Sequence, residues 1–514
     1  MFTAGGSPQD LCHNPPRMHA PPPTGTRAVE ARSGLDPWIP TELPAPPSLK
    51  GLGWLKAVGP GIIVLGVAIG SGEFLLGPAV FVRHGLSLFW VVVIAVYLQT
   101  IFNTEVLRYT LATGEPVFTG FMRTRPSSTA WAWFYAALYF LQIGWPAWAG
   151  TAAGAIFFLF MRRLAAPVDA ATIYYIGIAT FLLCVAVLSV GRRIERTLEL
   201  LNWILVVTIL GGFLIMALIF VPGPTWAAAG TGLAGFDLTT GTFDFFPAGA
   251  DFFLLAALVA YSGSGGVINL TLSNWARDKG YGMGERAGYI ASASSGAKVD
   301  LAHSGFTFDS TPEAMQRWHG WWRLVRVDQW GIFFTGAILG MVLPALLYVT
   351  FLPRGTNIQG LGISAALAAA MGAQSGAVLG GVVAFLGAWI LFKTQLDSVE
   401  GMARAITDIL WTGSHRVRAW RGGDVRAVYY AVLAIIVVWG IFALRLAQPI
   451  MLLQIGANIA GAIFVFTSMH LLYVNTRLLP AHVRPPMWRR AMLVVMALFY
   501  LFWVTLSVRA MLGM

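Results

Sequence analysis

Ile69-Gly70-Ser71-Gly72-Glu73 interrupts the first long apolar run of this chain, and Tyr261-Ser262-Gly263-Ser264-Gly265-Gly266 interrupts the sixth at a matching point. A spanning helix broken at mid-depth frees backbone carbonyls and amides that lipid cannot satisfy, so such groups line a polar cavity or grip a ligand. The competing reading is that these glycines only let helices pack closely, as small residues do in membranes. Two long Gly/Ser runs at equivalent places favour the interruption.

Composition sets the environment. The chain is 57% hydrophobic and 11% charged, with a mean hydropathy of +0.69, more than a soluble core carries. Its net charge of +11 comes from Lys and Arg in short clusters between apolar runs, which set topology, and no basic face with interleaved aromatics points to nucleic acid. Cys12 and Cys184 make neither a disulfide framework nor a zinc site. Residues 1–50, rich in Pro, Gly, Ala and Thr, are expected to form a disordered cytoplasmic tail. They lack the basic, apolar and small-residue succession of a signal peptide.

With about 20 apolar residues needed per crossing, spans are expected near 58–81, 86–107, 130–160, 171–190, 198–221, 251–275, 331–352, 377–396, 428–444, 450–474 and 492–508. Residues 51–514 thus form a polytopic domain in the inner (plasma) membrane. Basic residues follow the even-numbered spans, for example Arg192, Arg193 and Arg196 after the fourth and Arg416, Arg418, Arg421 and Arg426 after the eighth. By the positive-inside rule the N-terminus is cytoplasmic and the C-terminus extracytoplasmic; Arg162-Arg163 runs against this assignment. The cytoplasmic connection 276–329 carries Thr311-Pro312-Glu313 followed by Trp318, Trp321, Trp322, Arg323 and Arg326. This predicts a short amphipathic helix in the headgroup layer, N-capped by Thr311, with a plain Trp-rich anchor as the simpler role.

The two interruptions fall in spans one and six, the corresponding members of two five-span repeats. Repeats of odd span number return inverted and place paired broken helices face to face at mid-membrane. The expected fold class is therefore an all-α membrane protein with a LeuT-type inverted repeat, spans 1–5 and 6–10, plus an eleventh helix.

Gly59-Pro60-Gly61 followed by Gly70-Ser71-Gly72-Glu73 resembles the start of the Nramp divalent-metal transporters, of LeuT-type fold within the APC superfamily, whose first span opens Gly-Pro-Gly and breaks at Asp-Pro-Gly-Asn. Arg108 through Thr113-Gly114-Glu115 is similar to the segment after their second span. Thr394-Gln395-Leu396-Asp397 through Asp408-Ile409-Leu410, with Arg416, Arg418 and Arg421, is similar to their eighth, and Asn475-Thr476-Arg477 resembles the end of their tenth. The resemblance covers residue 51 to the C-terminus and implies metal-ion transport by symport. Its metal ligands do not carry over: Gly70 stands at the family's Asp, Glu73 at its Asn, and Gly265 to Ile268 contain neither the Met nor the His of its sixth span. Without a thioether, selection of a soft transition metal loses its chemical reason.

An intramembrane acid is costly and calls for a cation, a proton or a basic partner. Glu73 is accordingly the candidate metal ligand and proton carrier, completed by Ile69, Gly70, Tyr261, Thr394 and Asp397; a pair with Lys393 is the structural alternative. Lys393, Asp397, Glu400 and Arg404 recur at helical spacing. They either bring Asp397 and Glu400 to proton coupling or form two internal pairs. Ser71, Gly72, Ser262, Gly263, Ser264, Gly265, Asn269 and Asn458 are candidate substrate contacts, although interhelical glue is the favoured reading of the amides Asn269, Asn274, Asn458 and Gln142. An ion pair of Glu105 with Arg108 is expected.

These features predict a transporter of a divalent cation, with Mn, Mg or Fe as cargo, H+ or Na+ as possible coupling ion, and no resident cofactor. The alternative is an Na+- or H+-coupled carrier of a small organic solute such as an amino acid, its carboxylate held at half-helix N-termini. A non-transporting sensor is a third class. No His-Glu-x-x-His, nucleophile elbow or phosphate loop suggests an enzyme.

Overall fold

The computed structural model describes residues 34–48, 51, 58–190, 194–287 and 305–513. Among these residues nine helices are long and apolar enough to cross a membrane: Pro60–His84, Leu86–Thr113, Ser128–Met161, Pro167–Leu188, Pro312–Phe351, Ala377–Gly413, Val425–Ala443, Pro449–Arg477 and Met487–Met511. Val206–Phe220 and Phe252–Tyr261 are shorter apolar helices. Each expected apolar run is helical, and the molecule is a multi-pass membrane protein. We number the runs in chain order, first to eleventh.

The first span differs from expectation. Pro60–Ala68 is α-helical, Ile69–Leu76 is π-helical, and Gly77–His84 is α-helical again. The segment is therefore widened, not unwound: Gly77 N–H reaches back to the Gly72 carbonyl, the i to i−5 bond of a π turn. Lengthening the bonds by one residue keeps the backbone paired inside the bilayer, where a true gap would leave it bare.

The sixth span does break. Phe252–Tyr261 and Val267–Asp278 are separate helices, joined through Gly265 and Gly266 at φ +83° and +53°, a region that side chains with a Cβ rarely enter. The third span is also divided, into Ser128–Ile143 and Ala147–Met161, at Gly144-Trp145-Pro146, where proline cannot continue the ladder.

The helix after residue 311 starts as expected. The Thr311 hydroxyl accepts from Ala314 N–H at 3.2 Å, with Pro312 in the first turn. It is not a separate interfacial helix, because Pro312–Arg326 continues through π-helical Val327–Phe334 into Thr335–Phe351. Trp318 and Trp321 are buried in protein, and Trp321 Nε1 donates to Pro44 O at 2.9 Å.

The end of the expected disordered tail is thus an ordered strap, while residues 1–33 lie outside the described residues. Ile39–Pro40 pairs in parallel with Phe306–Thr307, Leu43 is fully buried, and Arg317 Nη1 donates to Leu43 O at 2.7 Å. Glu115 fastens the strap. Its carboxylate accepts from Trp38 Nε1 (3.2 Å), Tyr109 Oη (2.6 Å), Gly305 N (2.9 Å) and Arg123 Nε (2.9 Å). Burial alone would raise this carboxyl, but the Arg123 charge and the bonds from Arg123, Tyr109 and Trp38 outweigh it and hold it below its ordinary value. A depressed carboxyl stabilises the fold above the ordinary carboxylate range and loses that contribution as pH falls through its lowered value. Glu115→Gln leaves Arg123 buried without its counter-charge, a loss of about 3–5 kcal/mol. Hydrogen exchange over residues 34–48 is expected to lose protection in Glu115→Gln at neutral pH and in the wild type only in acid.

Candidate functional site

At the sixth-span break the backbone is held by side chains from other spans. Gln142, in the third, accepts from Val267 N–H at 2.8 Å and donates to Gly265 O at 3.0 Å, so one amide spans the gap. Gln99, in the second, donates to Ala260 O at 3.2 Å and to Tyr500 Oη of the eleventh at 2.9 Å. Asn269 donates to Asn103 Oδ1 at 2.8 Å and accepts from Ser264 Oγ at 3.0 Å. Single polar residues in apolar helices rebuild the hydrogen bonds that the break removes. Gln99, Asn103 and Tyr500 were not singled out in the sequence; the partner of each lies on a distant span.

The π segment of the first span presses on this break. A Cβ at Gly72 would fall on the Tyr261 carbonyl, and one at Gly70 on the Thr394 side chain of the eighth span. Gly70, Gly72, Tyr261 and Thr394 therefore come together, as close contacts and not around an open cavity. Glu73 points elsewhere. Its methylene lies 3.3 Å from where a Cβ at Gly340 would stand, on the seventh span. The side chain is 0% exposed, and neither carboxylate oxygen has a hydrogen-bond partner among the described residues; Thr394 Oγ1 and Trp148 Nε1 also lack one.

Several expected ligands are occupied by other duties. Lys393 pairs with Asp397 rather than with Glu73, and Arg404 holds Glu400 at 2.5 Å, so the two internal pairs form. Asn458 donates to Phe253 O at 3.1 Å and Gln454 O at 2.9 Å and accepts from Ser507 Oγ at 2.6 Å. Ser262 bonds Leu258 O at 2.7 Å and Ser71 bonds Val67 O at 3.1 Å, each within its own helix. Asn274 donates to Asp408 Oδ2 at 2.7 Å. The set of Glu73, Thr394 and Asp397 around one cation is not assembled, and among the described residues no three His, Cys, Asp or Glu side chains come together to hold a metal.

The basic face is latched below this site. Asp328, at the start of the seventh span, accepts from Gly59 N–H (3.1 Å) and Gly61 N–H (2.9 Å), and Lys279 Nζ donates to Val58 O at 2.7 Å. Arg277 joins Asp278 (2.9 Å) to Asp408 (3.1 Å), tying the sixth span to the eighth. Asp328 is buried and caps the free amides at the N-terminus of the first span. It escaped the sequence reading because it lies in what looked like a Trp/Arg-rich connection.

The architecture matches solved structures. A manganese transporter of Eremococcus coleocola, in complex with an aromatic bis-isothiourea substituted compound, aligns at TM-score 0.57 and 16% identity over 93% of this chain and 92% of its own. A mutant of that transporter aligns at TM-score 0.59 and 15% identity, again over 93% and 92%. No family model and no curated protein sequence matches the chain. At such identity the likeness establishes the fold alone: an all-α, LeuT-type architecture embedded in a lipid bilayer.

Proposed function

We propose that this chain is a secondary transporter that moves a divalent cation of the Mn/Mg/Fe class by alternating access, with Glu73 holding the charge of the ion. The observation that carries this reading is Glu73, fully buried with both oxygens unmatched, on a segment that touches the sixth, seventh and eighth spans. A bare carboxylate there is relieved by a cation or a proton. Carbonyls at Ile69 and Tyr261, the Thr394 hydroxyl and retained water would complete an oxygen shell once Gly70 and Thr394 separate. One carboxylate among neutral oxygens suits a hard ion that keeps part of its hydration, as Mg²⁺ does. Loading from one side requires opening the Asp328 and Lys279 latch, which by the basic-loop rule faces the cytoplasm. The shared fold with a manganese transporter supports the reading.

A second reading has its own observation. Trp148 is 2% exposed, its indole N–H has no partner, and its ring stacks on Tyr261 at 6.4 Å. With Thr394 Oγ1 this makes a donor set suited to a small organic acid, leaving Glu73 to carry a coupling H+ or Na+.

Purified protein in liposomes is expected to take up Mn²⁺ or Mg²⁺ in a saturable manner. Absence of divalent flux, together with thermal stabilisation by an amino or organic acid and by no divalent ion, would replace the first reading with the second.

A further inference from the structure

On the basic face, two arginines share one acid and a third stands near them. Arg108 bonds Glu105 at 2.8 Å and Arg489 bonds it at 3.0 Å, and both guanidiniums lie over the ring of Trp322, at 4.4 and 5.2 Å from its centroid. Arg326, one helical turn beyond Trp322, is exposed, and its charge reaches Arg489. Three positive charges thus gather where a single carboxylate is shared by two of them. Among the described residues no second acid is paired with these arginines, and the cluster stands where the second, seventh and eleventh spans emerge.

An apolar track begins at the same place. Trp330, one turn past Arg326, packs on Tyr97 at 5.5 Å. Tyr97 and Ile94 of the second span are 40% and 39% exposed, about two and about three turns deeper in the membrane than Glu105. Positive heads followed by an exposed aromatic and aliphatic strip match an amphiphile with an anionic head, and aromatic side chains favour the boundary between headgroups and chains.

We propose that Arg326 and Arg489, backed by Trp322, bind the phosphodiester of an anionic phospholipid from the leaflet at the basic face, with an acyl chain along Trp330, Tyr97 and Ile94. The site is separate from the interrupted helices and does not depend on what the protein carries. Free phosphate shares the head chemistry but has nothing to lay on the apolar track, so the occupant is the lipid.

The test compares the full chain in nanodiscs of phosphatidylcholine alone and with phosphatidylglycerol, reading the melting temperature and the lipid retained in native mass spectrometry. Phosphatidylglycerol is expected to raise the melting temperature and to be retained. Arg326→Gln, which removes an exposed side chain, should weaken retention about fivefold, the worth of one basic residue near an anionic surface. Arg416→Gln, on the exposed short helix His415–Ala419 of the same face, should not. Equal behaviour of the two lipids, full retention in Arg326→Gln, equal loss in Arg416→Gln, or reproduction of the shift by inorganic phosphate would each overturn the assignment.

Discussion

Glu73→Gln is expected to fold, insert and melt at or above the wild-type temperature while losing saturable cation uptake. The two halves of this result rest on the same atoms. A carboxylate that held helices together would be paired, and neutralising one member of a buried pair costs about 3–5 kcal/mol. Glu73 has no partner for either oxygen, and Lys393, the basic residue that the sequence offered it, is engaged by Asp397. Replacing an unmatched charge by a neutral side chain of the same shape removes a desolvation cost and breaks no bond. Function moves the other way. Changes to groups that only support a metal ligand commonly cost 10–100-fold in affinity, so loss of the one anionic ligand should lower uptake by more than about 100-fold. Uptake measured in liposomes beside a thermal melt decides the matter. Flux that survives the change removes Glu73 from the transport cycle, and a melt lowered by several degrees with flux retained makes it structural.

How far the sequence could be read depended on the range of the forces involved. Apolar runs and their lengths are local, so the spans were legible to within a few residues. The Gly70 and Gly72 signal was legible as small residues in a critical place, but not its outcome. Whether such a stretch unwinds or widens depends on whether i to i−5 bonds can close, and that is decided by the Tyr261 carbonyl and Thr394 packing against it. The Gly144-Trp145-Pro146 division carried a plain local signal, a glycine and a proline two residues apart, and passed unnoticed inside a long apolar run. The clamp was legible only in part: Gln142 and Asn269 read as interhelical glue, but their partners did not. Gln99, Gln142 and Tyr500 sit on three helices remote in sequence, and no spacing within one helix shows that they meet at one break. The strap failed for a similar reason: its composition disfavours order in isolation, and Trp38 and Leu43 are held by distant groups such as Glu115, Arg123, Tyr109 and the helix after Thr311.

Gln142→Leu is expected to destabilise the protein and to abolish transport, because the break in the sixth span is built around this amide. The side chain serves two main-chain groups at once, accepting from Val267 N–H at 2.8 Å and donating to Gly265 O at 3.0 Å. Leucine fills the volume and serves neither. Each backbone group left buried without a partner costs about 1–3 kcal/mol, so the pair costs about 2–6 kcal/mol. The fit is close, since a Cβ at Gly266 would strike the Gln142 amide and the Ala460 backbone. Gln142→Glu separates the clamp from simple packing. A carboxylate still accepts from Val267 N–H but repels Gly265 O, whereas the protonated acid can donate to it as the amide does. Transport by this variant should therefore recover as pH falls, with a profile that wild type does not share. A Gln142→Leu protein that melts and transports like wild type would show that the break needs no clamp. A Gln142→Glu protein with no pH dependence of its own would show that the amide acts by filling space.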